Sequence, residues 1–171
     1  YTGGSQKDGK EIQNQCIAIG DGKTYEKWQD NPVIKGDIMP EKFDRKDFRD
    51  PKIWEDNGTY YMLVGCRSEE IPGQVVLFSG KDLKEWKFET ILASNESGKI
   101  GTMWECPDFF QLGSKRVLIC SPQDMKAQKY EFHNGHNSVY FLGDYDEKTQ
   151  TFVKIILPQV IKRILPSVTN E

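Results

Sequence analysis

Two stretches of the chain, DPKIWEDNGTYYMLVG (residues 50–65) and CPDFFQLGSKRVLICS (residues 106–121), are one unit written twice. At an offset of 56 residues Pro51 falls on Pro107 and Trp54 on Phe110, the turn DNG falls on LGS, and YYML falls on RVLI. Each copy runs on into a third strand (QVVLFSG; SVYFLGDYD) and a fourth (EWKFE; TFVK). Four antiparallel strands in a unit of about 50 residues is the pattern of propeller blades. Tight-turn signals such as DGK, DNG, IPG and LGSK separate the runs, and helical periodicity is nearly absent. The N-terminal part reads as an incomplete copy: YTG ends a second strand, IQNQCIAIG is a third and TYEKW a fourth. The expected fold is therefore all-β, part of a β-propeller of about two and two-thirds blades, whereas a closed ring takes at least about four.

Composition excludes several classes. With 171 residues, 37% hydrophobic and 29% charged, the chain can bury a core and does not read as disordered. A net charge of −3 with mixed signs and no basic stripe argues against nucleic acid as a partner. No apolar run nears the roughly 18 residues that span a bilayer, so no membrane is expected. Cys16, Cys66, Cys106 and Cys120 lack metal-ligand spacing. They read as reduced, mostly buried thiols of a cytoplasmic protein, and no metal or cofactor is expected.

The repeat also places the chemistry. The inner strand of a blade starts at the central channel, and just before it stand Arg49 with Asp50 in one copy and Glu105 with Cys106 in the next. Two carboxylates are thereby aimed at one cavity. Glycoside cleavage uses such a set, one group protonating the leaving oxygen and another attacking or stabilising the sugar cation. The plain alternative is that DP and CPD merely start strands, Asp and Pro being turn formers.

FRDPKIW (48–54) and MWECPDFF (103–110) resemble two of the three signature motifs of glycoside hydrolase family 32, the invertases and fructosidases. QCIAIGDGKTYEKWQDNPVI, GTYYMLVGC, VVLFSGKDLKEW and NSVYFLGDYD agree, and the ECPD form is most similar to bacterial sucrose-6-phosphate hydrolases. The resemblance covers residues 1 to 154 and implies a five-bladed propeller followed by a β-sandwich. It implies hydrolysis of the β-fructofuranosyl bond of sucrose, sucrose 6-phosphate or a fructan with retention and without a cofactor. By the same resemblance Glu105 is the acid/base, Asp50 the transition-state stabiliser that binds the fructose hydroxyls, and Arg49 a substrate-binding partner.

Two departures stand beside it. The NDPNG segment that carries the family's nucleophile is not in the sequence, and IILPQVIKRILPSVTNE stands where DFYAPQ would follow. Residues 155–171 read as a divergent tail, a truncated or frameshifted reading frame, or a short helix or strand covering the last blade. Two function classes stay open: a β-fructofuranosidase, and a non-catalytic truncated propeller, inert or weakly sugar-binding. A five-bladed hydrolase of arabinan type is a third, against which RDP plus ECPD argues. Exposed blade edges would favour self-association. Met103, Trp104 and Phe109 are expected to surround Glu105 with low polarity, favouring its protonated form. Asp108 reads as structural, His133 and His136 as a solvent-facing turn, and Trp28, Trp54 and Trp86 as blade-packing aromatics.

Overall fold

The computed structural model describes residues 1–39, 42–128, 130 and 132–160, except for the side chains of Asp37 and of residues 155–160. Twelve strands and a one-turn 3-10 helix at Gly36–Ile38 make up the described regular structure. β5 (Phe43–Asp56), β6 (Thr59–Ser68), β7 (Gln74–Gly80) and β8 (Lys87–Ser94) form one antiparallel four-stranded sheet in chain order. β9 (Trp104–Leu112), β10 (Lys115–Pro122), β11 (Val139–Asp146) and β12 (Thr151–Val160) form the second. These are the two blades that the repeat predicts. The first begins earlier than residue 50, at Phe43, and β12 continues past residue 154 to Val160. Residues 161–171 of the expected tail lie outside the described residues.

The N-terminal copy departs from its expected form. IQNQCIAIG is not one strand: β2 (Lys10–Gln15) pairs with β1 (Thr2–Lys7), and β3 (Ala18–Gly20) pairs with β4 (Tyr25–Lys27). Asn31 separates the halves by bonding both the N–H and the C=O of Ile17, at 2.9 and 2.8 Å. A side chain that satisfies backbone groups in this way removes them from the ladder.

The hairpins follow from local chemistry. Asp8–Gly9 and Asn57–Gly58 are two-residue loops with positive φ at both positions, the turn that matches strand twist. Between blades, burial decides the order. The middle sheet has apolar residues on both faces, which is why YYML and QVVLF are continuous apolar runs. Met62, Val64, Val76 and Phe78 pack towards the N-terminal strands with Ile34, Phe43 and Phe48. Leu63, Val75 and Leu77 pack towards the last blade with Trp104, Phe109, Leu118 and Phe141. Trp104 is fully buried, donates Nε1–H to the Ile100 carbonyl at 2.7 Å and lies against Phe141. It enters a slot that only glycines leave open: a Cβ on Gly65 would meet the Trp104 carbonyl oxygen at 2.1 Å, and one on Gly73 its ring at 2.6 Å.

Candidate active site

A bulge shapes both inner strands at the same repeat position. Arg49 pairs with Gly65 and Lys52 with Leu63, so Asp50 and Pro51 stand opposite Val64 alone. Glu105 pairs with Ser121 and Asp108 with Ile119, so Cys106 and Pro107 stand opposite Cys120 alone. Asp50 and Cys106 each take a left-handed backbone, with φ of 61° and 47°. The proline after each has no N–H to leave unpaired. Bulges of this kind re-aim side chains and recur beside active sites.

The three expected site residues come together. Arg49 Nε donates to Glu105 Oε1 at 2.9 Å, and Asp50 Oδ2 accepts the Cys106 N–H at 3.1 Å with the Cys106 thiol at 3.7 Å. Carboxylates from adjacent blades are thus tied across the blade boundary, Glu105 by a guanidinium and Asp50 by a backbone amide. Part of the low-polarity expectation fails. Met103 and Trp104 are buried in the core between the blades, and Glu105, with 24% of its side chain exposed, faces Arg49 instead. Successive strand residues point to opposite faces, so the apolar neighbours in sequence are not the neighbours in space. Burial alone would pull the Arg49 guanidinium down, but the hydrogen bonds and charges of Asp47 and Glu105 outweigh it and hold Arg49 above its ordinary value. Burial first, then the Asp50 carboxylate, pushes the Cys106 thiol up although the residue is exposed.

The N-terminal strands hold the Phe48–Asp50 backbone from the other side. Gln15 Nε2 donates to the Phe48 carbonyl at 2.8 Å, the Phe48 N–H donates to Gln13 Oε1 at 3.0 Å, and the Asp50 N–H donates to Thr2 Oγ1 at 3.0 Å. These polar side chains of YTG and IQNQ carried no signal in the sequence reading, because only strand pairing brings them to the site. Asp47 and Arg67 were missed too. Asp47 bonds Arg49 Nη1 at 2.5 Å and Arg67 Nε at 2.6 Å, and Arg67 Nη2 also reaches Asp44 at 2.8 Å. The alternation in DRKDFRD was the one available hint.

Asp108 pairs with the Lys52 ammonium of the neighbouring blade at 3.3 Å. Trp54 stacks on Tyr61 and leans on Phe109 of the next blade, and Trp86 packs at the edge of the core. Trp28 lies under the Lys84 ammonium. Among the described residues no group of three His, Cys, Asp or Glu is placed to hold a metal ion, and no helix is long and apolar enough to cross a membrane. All four cysteines are free, but only Cys66 and Cys120 are buried, fewer than expected.

Residues 1–164 match the family described as Glycosyl hydrolases family 32 N-terminal domain. The match runs beyond residue 154, where the resemblance read from the sequence ended. The sucrose-6-phosphate hydrolase of Bacillus subtilis (strain 168) is 40% identical over 153 residues, covering 85% of this chain and 30% of that protein. That of Escherichia coli is 38% identical over 144 residues, 81% of this chain and 28% of that protein. The chain thus spans about 30% of the length of the curated relatives it matches. Among solved structures, a Bombyx mori GH32 beta-fructofuranosidase superposes with a TM-score of 0.84 at 33% identity, over 94% of this chain and 34% of that one. A sucrose-6-phosphate hydrolase from Lactobacillus gasseri superposes at 0.75 with 26% identity, over 94% and 33%. The blades described above are therefore part of a five-bladed propeller, and the chain belongs to glycoside hydrolase family 32.

Proposed function

We propose that this chain forms part of the catalytic propeller of a β-fructofuranosidase that hydrolyses sucrose or sucrose 6-phosphate with retention. The observation that carries the reading is that Asp50 and Glu105, on the inner strands of adjacent blades, are each bound across the blade boundary, Glu105 by Arg49 and Asp50 by the Cys106 N–H. The relatives' names support the substrate class: two are sucrose-6-phosphate hydrolases, and the Bombyx mori enzyme has a structure in complex with sucrose.

In this reading Glu105 gives its proton to the oxygen leaving the fructosyl carbon and later takes one from water. Arg49 orients that carboxyl through Nε and keeps it from turning into the core. Asp50, fixed at its backbone by Thr2 and at its carboxylate by the Cys106 N–H, faces the fructose hydroxyls and stabilises the positive charge that develops on the ring. A retaining route also needs a nucleophilic carboxylate on the opposite face of the sugar. The family's NDPNG segment, which would supply it, is not in this sequence. Four free thiols, two of them buried, fit a reducing compartment, and we assign the protein to the cytoplasm.

The test is assembly. Joined to an NDPNG-bearing strand and the remaining blades, the chain should release fructose from sucrose or sucrose 6-phosphate, and Glu105→Gln should lower turnover about 10²–10⁴-fold. An assembled enzyme whose activity is indifferent to Glu105→Gln would refute the assignment.

A further inference from the structure

The charges around Glu105 do not end at Arg49. They run as an alternating row, Glu105–Arg49–Asp47–Arg67–Asp44, with contacts of 2.9, 2.5, 2.6 and 2.8 Å. The row is anchored on three strands of two blades: Glu105 on β9, Arg67 on β6, the rest on β5. It is least exposed in its middle, where the Asp47 and Arg49 side chains are 14% and 17% accessible. Asp47 spends one oxygen on each arginine, so both of its oxygens are already engaged.

We propose that Asp47, braced by Arg67, is a positioning residue that divides the charge of Arg49 and so sets how firmly Arg49 holds the Glu105 carboxylate. This rests on the acid/base reading of Glu105 given above. A guanidinium facing an acid/base group alone would favour its charged form, which is the wrong form for the first proton transfer. A second carboxylate on the same guanidinium offsets that pull. Arg67 in turn limits the negative charge that Asp47 presents, and Asp44 shares Arg67. The other titratable groups at the Glu105 end are Asp50 and Cys106, and β2 contributes the uncharged Gln13. At the far end, Lys7, Asp8, Lys10 and Glu11 of the β1–β2 hairpin and Arg45, Lys46 and Glu69 line the open cleft beside Asp44 and Arg67, with mixed sign.

Asp47 and Arg67, which carry opposite charges, therefore act in opposite directions. Asp47→Asn leaves Arg49 fully directed at Glu105, so activity should be lost at lower pH: the basic limb of kcat/KM should move down by about one pH unit. Arg67→Gln leaves Asp47 and Asp44 less neutralised, and the same limb should move up. The experiment is the pH profile of fructose release by the assembled five-bladed enzyme and its two variants. Opposite shifts support the proposal, because a residue that only holds the fold has no reason to move the limb in a sign-dependent way. Unmoved limbs, or limbs moving together, overturn it. If Asp47→Asn does not fold, Arg67→Gln decides alone, and an unshifted limb there overturns the proposal. An inactive wild-type assembly would instead refute the proposed function, which is a separate result.

Discussion

Arg49 and Glu105 stand 56 residues apart in the chain, at the same rung of neighbouring inner strands, and form a 2.9 Å ion pair. The offset recurs at Asp50 with Cys106 and at Lys52 with Asp108. Equivalent residues of adjacent blades face each other near the axis, so two identical copies would oppose like with like. Here each rung carries a complementary pair instead: cation with anion, acceptor with donor, cation with anion. The site is built from the positions where the two copies of the repeat differ.

The middle rung can be tested on the thiol. Cys106 is exposed, but burial and then Asp50 push its thiol up, which lowers the thiolate fraction at neutral pH. Its alkylation by iodoacetamide, followed site by site with mass spectrometry at pH 7.5, should be slower than that of a free thiol. Asp50→Asn removes the neighbouring negative charge, brings the thiol down and should speed the reaction about threefold to tenfold. An unchanged or reduced rate in that variant would contradict the contact.

Blade docking has its own test. Gly65→Ala places a methyl 2.1 Å from the Trp104 carbonyl oxygen, a backbone atom that cannot step aside. It should lower stability by about 2 kcal/mol, read as a lower denaturant midpoint. Gly4→Ala, in open space on β1, should change the midpoint little or raise it. Equal effects at both positions would show that the inner strand of the last blade does not seat on Gly65.

The repeat made the two complete blades legible, and with them the juxtaposition of Arg49 and Asp50 with Glu105 and Cys106, because an offset shared by turns, prolines and aromatic positions survives substitution of everything between. Three things were not legible. The bulges at Asp50–Pro51 and Cys106–Pro107 leave no mark beyond a proline that also reads as a strand start. The surroundings of Glu105 were misjudged because Met103 and Trp104 are adjacent in sequence but turn to the core. Asp47, Arg67, Gln13, Gln15 and Thr2 reach the site only through the register of strands far apart in the chain, which no local pattern encodes.

The outer face of the last blade predicts association. Trp54 lies between blades, against Phe109, while its repeat partner Phe110 is 38% exposed and Leu112 and Val153 are 62% and 58% exposed. The same position is thus covered in one copy and bare in the other. The purified 171-residue polypeptide should self-associate through this face, with a molar mass by light scattering that rises with concentration. Phe110→Lys should reduce the effect. A strictly monomeric species at high concentration would exclude it.

Activity of the 171-residue polypeptide by itself follows from counting the committed carboxylates. In the retaining reading Glu105 is the acid/base and Asp50 the stabiliser, so neither is available to attack the sugar. Asp47, the next carboxylate along the charged row, has both oxygens bound to arginines. Loss of a nucleophile typically removes several orders of magnitude in rate. The polypeptide alone should therefore release no useful amount of fructose from sucrose or sucrose 6-phosphate. Once an NDPNG-bearing strand and the remaining blades are supplied, the two variants should separate by leaving group. Glu105→Gln should be most damaging with poor leaving groups, which need the proton, and least with good ones. Asp50→Asn should slow every substrate about equally, by about 10²–10³-fold, because the charge on the ring develops whatever departs. Fructose release by the 171-residue polypeptide that disappears with Glu105→Gln would mean that a carboxylate within these residues already acts as the nucleophile.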